Sequence, residues 1–254
     1  MQMLKRYIAA CCLWMVCMAT GTKALHAQDS SGVIKTWMQQ LQQRYHDAGY
    51  LGFHIKYLYT NAGPSAVALD SLTGEVEMHG NQCRLVIDST ETVVTARYTI
   101  QVRPEEKMIV LSGARPSGNL DPIGLMDSLL AHTGNVHARI SHQPGQDVLT
   151  ISFPPGREYS SVRIVTDTRT GWLQRISYTL PTAGLVAPDM ISSPGHPAPY
   201  QAEGRIDMLF SHYRRGGFNK ALFSESNYFN KTDGRYEAAA RYKDYRIFLA
   251  SSNL

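Results

Sequence analysis

One hairpin constrains this chain more than any other stretch. Glu75-Val76-Glu77-Met78-His79 runs into Gly80-Asn81 and returns as Gln82-Cys83-Arg84-Leu85-Val86-Ile87. Gly-Asn forms a two-residue hairpin turn, because both residues tolerate positive φ. With His79 opposite Gln82, Met78 faces Cys83 and Val76 faces Leu85, all apolar and all on one side of a sheet. On the other side Glu77 lies opposite Arg84, a favourable cross-strand charge pair. A slip of one residue undoes both matches, so the register is strongly specified.

The neighbouring stretches alternate in the same way. Phe53, Ile55, Tyr57 and Tyr59 interleave with His54, Lys56, Leu58 and Thr60. Val94, Ala96, Tyr98, Ile100 and Val102 interleave with Val93, Thr95, Arg97, Thr99 and Gln101. Arg103-Pro104-Glu105-Glu106 turns the chain into a strand from Lys107 to Leu111. Residues 51–112 therefore read as five antiparallel strands with one apolar face, which something must cover.

The start of the chain reads differently. Lys5 and Arg6 precede an apolar run of 13 residues from Tyr7 to Ala19, and Ala27 stands at a small-residue cleavage point. This is the pattern of a secretory signal peptide over residues 1–27, too short for a membrane span with those flanks. Ile8-Ala9-Ala10-Cys11 matches a lipobox only superficially, because the hydrophobic run continues past Cys11. Lys5, Arg6 and Lys23 leave with the signal, so 22 basic side chains face 21 acidic ones in residues 28–254. That balance gives nucleic-acid binding no support. Cys11, Cys12 and Cys17 leave as well. Cys83 remains alone, and no internal disulfide is expected despite export. No second apolar run is long enough to span a bilayer.

Asp29-Ser30-Ser31 signals a helix start. Val33, Ile34, Trp37, Met38, Leu41 and Tyr45 then recur at helical spacing, giving an amphipathic helix that ends near Gly49. It immediately precedes the sheet and is expected to lay its apolar stripe on the apolar face. After Ser112 comes a loop, and then Asp121-Pro122 opens a short second helix carrying Ile123, Met126, Leu129 and Leu130. Strands resume at Val136–His142 and Val148–Phe153. A hairpin around Thr170-Gly171 joins Ser161–Thr166 to Trp172–Leu180. Residues 181–200 hold five prolines and two glycines and read as a surface loop or lid. Three strands are expected to close the chain: Arg205–Tyr213, Ala221–Tyr228 and Tyr236–Ala250. The fold class is mainly β with α. One strongly curved antiparallel sheet of this size curls into a barrel or half-barrel, with the helices on its concave side.

This order of elements resembles the family of the periplasmic lipoprotein carrier LolA and its outer-membrane receptor LolB. The resemblance rests on the N-terminal helix leading to Phe53-His54-Ile55-Lys56-Tyr57, then Gly74-Glu75-Val76, then Asn81-Gln82-Cys83-Arg84-Leu85. Asp167-Thr168-Arg169-Thr170-Gly171-Trp172-Leu173 is similar to a second hairpin of that family. The resemblance implies an unclosed β-barrel over residues 28–254, with helices lidding a hydrophobic cavity that takes acyl chains. The chain departs from the family in its proline-rich insertion and its extended last third.

The candidate cavity residues are Phe53, Ile55, Tyr57, Val76, Met78, Leu85, Ile87, Tyr98 and Ile100, which would otherwise be plain core. Ile123, Met126, Leu129 and Leu130 are the lid candidates. The last third is rich in Tyr and Arg, residue types favoured in protein interfaces. Tyr213, Arg214, Tyr236, Tyr242 and Tyr245 are its interface candidates, the alternative being solvated strand faces. His137 and His142 point to opposite sides of one strand, and the chain has no HExxH motif, so no metal is expected. Cys83 is expected to be buried and inert. No nucleophile motif, phosphate-cradling loop or dinucleotide fingerprint is present, so neither catalysis nor a cofactor is expected. Two readings follow. One is a non-catalytic periplasmic binder of lipid or of a lipidated protein. The other is a structural or adaptor subunit of an envelope assembly, with a self-filled core and a protein partner.

Overall fold

A computed structural model of the chain describes residues 30–63, 68–114, 136–184, 201–217 and 219–251. The expected signal peptide, the second helix with its four lid candidates, and residues 185–200 of the proline-rich stretch lie outside the described residues.

Helix α1 spans Ser30–His46. Ile34, Met38, Leu41 and Tyr45 lie along one stripe of it, and all four are buried. Gly49, at φ 68°, reverses the chain behind it, a conformation that glycine adopts without steric cost.

Two antiparallel meanders follow. The first is β1 (Tyr50–Asn61), β2 (Ala68–His79), β3 (Gln82–Ile87), β4 (Thr90–Val94), β5 (Tyr98–Arg103) and β6 (Met108–Gly113). The second is β7 (His137–Gln143), β8 (Gln146–Ser152), β9 (Ser161–Asp167), β10 (Leu173–Pro181) and β11 (Glu203–Arg215). Strand β11 pairs with β1 over nearly its whole length and fuses the meanders into one sheet. A hairpin of β12 (Phe229–Thr232) and β13 (Arg235–Ala238) stands apart from it. Strand β14 (Arg246–Leu249) adds to β6 in parallel. The 12-stranded order is β14-β6-β5-β4-β3-β2-β1-β11-β10-β9-β8-β7. Its margins, β14 and β7, are not joined, so the sheet is an open, unclosed barrel.

The central hairpin has the register its sequence specifies. Met78 pairs with Cys83, Val76 with Leu85 and Glu77 with Arg84. The last third does not follow its expected strands. Residues 221–228 fall largely in two 3-10 turns, Lys220–Phe223 and Glu225–Asn227. The Asn219 side chain accepts from the Ala221 N–H, and the Asn227 amide donates to the Ala221 carbonyl. These local bonds compete with strand pairing. The expected strand from Tyr236 to Ala250 is divided into β13, a 3-10 turn at Ala240–Tyr242, and β14.

Helix α1 defines an inner face of the sheet. The inner core joins its stripe to Leu51, Phe53, Ile55, Val76, Cys83 and Leu85, and extends through β11 to β8. A second core lies on the outer face: Val93, Tyr98, Ile100, Val102, Ile109 and Leu111, capped by Phe223, Tyr228 and Phe229. Tyr98 and Ile100, expected beside Phe53 and Val76, belong to this outer core. The reason is a turn at Thr95. The Thr95 hydroxyl accepts from the backbone N–H groups of Arg97 and Tyr98, and the Thr95 N–H donates to the Tyr98 carbonyl. Residues 93–102 are therefore a hairpin and not one strand. Ile100 pairs with Val93 rather than continuing from Val94, so every side chain after the turn changes face.

Candidate functional site

The inner face is built by strand alternation. Ile55 pairs with Phe210, Tyr57 with Met208 and Tyr59 with Ile206. The same rows continue outward, from Met208 to Ile176 and Ile164, and from Ile206 to Tyr178 and Val162. Leu149 and Ile151 carry them to β8. An apolar surface thus runs unbroken from β3 to β7.

One end of that surface is sealed by aromatic packing under the C-terminal turn of α1. The Tyr45 ring meets Trp172 edge-on at 5.1 Å, and Trp172 stacks on Tyr213 at 5.3 Å. Phe53 lies 5.2 Å from Tyr213 and 5.9 Å from Phe210. Arg44 donates to the Thr170 carbonyl and ties the helix to the β9–β10 turn. Burial, with the Tyr45 hydroxyl beside it, drives the Tyr213 hydroxyl far above the ordinary tyrosine range.

The other end is less covered. Tyr57 stands four residues beyond Phe53, about 13 Å further along β1. It is half-buried, as are Ile87, Ile140, Phe153, Tyr159 and Ile206 around the margin of the core. Tyr159 lies 5.6 Å from Tyr178, and Phe153 lies 6.3 Å from Tyr159. Burial raises the Tyr178 hydroxyl well above its ordinary value, with Tyr159 and Tyr57 adding to the effect. This is an apolar rim with phenolic edges.

The structure therefore divides the candidate cavity residues. Phe53, Ile55, Val76 and Leu85 are core beneath α1. Tyr57 and Ile87 form part of the half-buried rim, Met78 is half-buried at the sealed end, where it pairs with Leu51, and Tyr98 and Ile100 are on the opposite face. Ile123, Met126, Leu129 and Leu130 lie outside the described residues.

The interface candidates are also placed. Tyr213 is not on a free surface: it belongs to the α1 seam and donates to the Leu173 carbonyl at 2.9 Å. Arg214 pairs with Glu75 at 2.5 Å. Tyr236, Tyr242 and Tyr245 pack half-buried against the outer core. Arg241 lies over the rings of Tyr228 and Tyr242, at 4.8 and 4.5 Å. Much of the Tyr and Arg content of the last third is thus spent on holding that segment to the sheet.

A polar network beneath this cap went unread in the sequence beyond its first pair. Arg84 donates to Glu77 at 3.1 Å and to Glu91 at 2.6 Å. Tyr50 donates to Glu77 and Tyr228 to Glu91, each at 2.9 Å. Among the described residues, no group of three or more His, Cys, Asp or Glu side chains could hold a metal. No helix there is long and apolar enough to cross a membrane.

No protein-family model matches the sequence, and no curated protein does. Solved structures are similar to it at low identity. An uncharacterized conserved protein of Thermus thermophilus matches with TM-score 0.45 and 11% identity, over 83% of this chain and 98% of that one. A DUF1329 family protein of Desulfovibrio piger matches with TM-score 0.39 and 12% identity, over 78% and 99%. A LolA superfamily protein of Nitrosomonas europaea matches with TM-score 0.33 and 10% identity, over 74% and 97%. Each is a likeness at low identity to part of the fold described above.

Proposed function

We propose that this is an exported, non-catalytic binder of apolar ligands in the cell envelope, taking lipid acyl chains or a lipidated partner at the rim around Tyr57. The observation that carries the reading is a mismatch of cover. Apolar inner-face residues span eight strands, about 34 Å across at the usual strand spacing. Helix α1, with 17 residues, is about 25 Å long and roughly 10 Å wide. It seals the Tyr45 end and leaves the aromatic rim at the Tyr57 end half-buried. A margin of half-buried apolar and phenolic groups suits a chain that is greasy along its length and polar at its head.

The test is a fluorescent fatty-acid displacement assay, paired with mass spectrometry of an organic extract of the purified protein. Lipid in the extract and saturable probe binding are expected. Tyr57→Arg should weaken binding by at least about tenfold while leaving the Tm near that of the wild type, because the position is only half-buried. A lipid-free extract with no probe binding overturns the reading. It would favour the structural or adaptor role, which draws on the complete burial of Phe53 and Ile34.

A further inference from the structure

The outer face of the second meander carries a feature unrelated to the apolar rim. Arg139 on β7 pairs directly with Thr150 on β8, and Thr150 pairs with Arg163 on β9. Two guanidinium stems therefore rise from one row of the sheet, two strands apart, about 10 Å between their Cα atoms. The adjoining row pairs His137 with Ser152, and on the other flank Ser141 faces Val148. Together they line a cleft of about 440 Å³. Its floor includes Val148, which is fully buried.

Two cations in one row repel each other unless an anion sits between them. The carboxylates sharing this face are otherwise engaged. Asp207 is held by Ser177 at 2.5 Å and by Arg205 at 3.0 Å. Asp167 is held by Thr170 and Gln174, and Glu203 by Ser160. Neither Arg139 nor Arg163 forms an ion pair among the described residues.

We infer that this cleft binds a phosphate-class oxyanion, either as a soluble phosphate ester or as the headgroup of an anionic phospholipid. Two guanidinium forks and the hydroxyls of Ser141, Thr150 and Ser152 offer more donors than the two oxygens of a carboxylate can accept. A phosphoryl group, with its extra oxygens, matches them better. Arginine is the side chain whose planar fork fits such an anion in bidentate fashion. The volume exceeds that of bare phosphate and leaves room for a substituent. His137 also lines the cleft, and its ring N–H is a further donor. The site lies on the face opposite the one proposed for acyl chains, so its success or failure is independent of that reading.

The test is calorimetric titration of the purified protein with inorganic phosphate and with glycerol 3-phosphate, plus co-flotation with phosphatidylglycerol or phosphatidylcholine vesicles. All are run at about 150 mM salt, where charges beyond about 8 Å are largely screened. Saturable binding is expected in one arm or the other. Soluble ligands alone identify a free phosphate ester, and phosphatidylglycerol alone identifies a headgroup. Arg139→Gln and Arg163→Gln should each weaken the response at least about tenfold, and the double variant should abolish it. Arg175→Gln, an exposed arginine of β10 outside the cleft, should leave it unchanged. The ligand-free Tm of each variant reports folding, and a ligand-dependent rise in Tm should survive only where the cleft is intact. No saturable response in any arm, or equal responses from the wild type and the double variant, overturns the inference.

Discussion

The hydroxyls of Tyr45 and Tyr213 meet at 2.7 Å across the seam between α1 and the sheet. Tyr213 donates onward to the Leu173 carbonyl at 2.9 Å, and the Leu173 N–H donates back to the Tyr45 oxygen at 3.4 Å. Tyr45 is therefore the donor to Tyr213, and the three groups close a ring. Tyr213→Phe deletes the donor to the Leu173 carbonyl and the acceptor for Tyr45. It should cost about 1–3 kcal/mol in urea unfolding. Tyr45→Phe should cost less, because the Tyr213 bond to Leu173 survives. The two losses should fall short of additive by at least about 0.5 kcal/mol in a double-mutant cycle. Full additivity would mean that the ring does not act as a unit.

The buried tyrosines set an alkaline limit. Burial raises the hydroxyls of Tyr178, Tyr213 and Tyr228 above the ordinary value, the last with Glu91 adding to it. In the unfolded chain each ionises near pH 10. The folded state then holds protons that the unfolded state has lost. Stability is full below about pH 10 and falls as pH rises above it towards the folded values. Urea midpoints measured upward from neutral pH should be flat and then drop steeply beyond pH 10. Tyrosinate absorbance should gain its last increments only with the unfolding transition. A gradual titration of every tyrosine in the native state would contradict this.

Arg84 is the hinge of the outer polar network, and its loss should be felt at a distance. Its side chain and those of Glu77 and Glu91 are all less than one-fifth exposed. Arg84→Gln leaves two carboxylates facing each other without their shared cation. The expected cost is about 1.5–3 kcal/mol, the range for hydrogen bonds to charged groups. Because Tyr228 donates to Glu91, the cap should loosen as well. Amide exchange over residues 221–238 should quicken in Arg84→Gln relative to the β7–β9 strands. Uniform quickening across the sheet would instead mean that the cap and the sheet open together.

The contrast between Met78 and Tyr98 shows where the sequence was legible. Met78 is legible on its correct face because Gly80-Asn81 is an explicit turn and two independent pairings agree on one register. Alternation alone puts Tyr98 on the wrong face, because Thr95-Ala96-Arg97 contains no Gly, Pro, Asn or Asp and the apolar pattern passes through it unbroken. The bonds that make the turn come from one threonine hydroxyl, which composition does not reveal. The outer core followed from the same turn: Val93, Val102, Ile109 and Leu111 could be assigned to a second buried face only once the flip at Thr95 was known. Alternation made α1 and the residues beneath it readable, since Phe53, Ile55, Val76 and Leu85 are all core. The Arg139–Thr150–Arg163 row was not readable. Its members lie on three strands, and only the observed pairings bring them together.

Two glycines separate backbone clash from side-chain clash. A Cβ at Gly74 would meet the Val86 carbonyl oxygen at 2.5 Å, with the γ-carbons of Ile55 and Ile87 at 3.1 Å. Backbone and packed core surround it, so nothing nearby can swing away. Gly74→Ala should cost about 3 kcal/mol or more, at the upper end for overpacking, and should disturb the β1–β2–β3 pairing. A Cβ at Gly171 meets a different obstacle, the Arg44 guanidinium at 1.4 Å. That group is the far end of a flexible side chain and can leave, giving up its bond to the Thr170 carbonyl. The remaining penalty is the left-handed backbone, φ 71°, worth about 1–2 kcal/mol for a residue with a Cβ. Gly171→Ala should therefore be the milder change. In an Arg44→Ala background its cost should shrink to the backbone penalty alone, which urea midpoints of the four combinations would show. If Gly171→Ala costs as much in that background as in the wild type, Arg44 is not what fills the space, and its bond to Thr170 does not hold α1 to the turn.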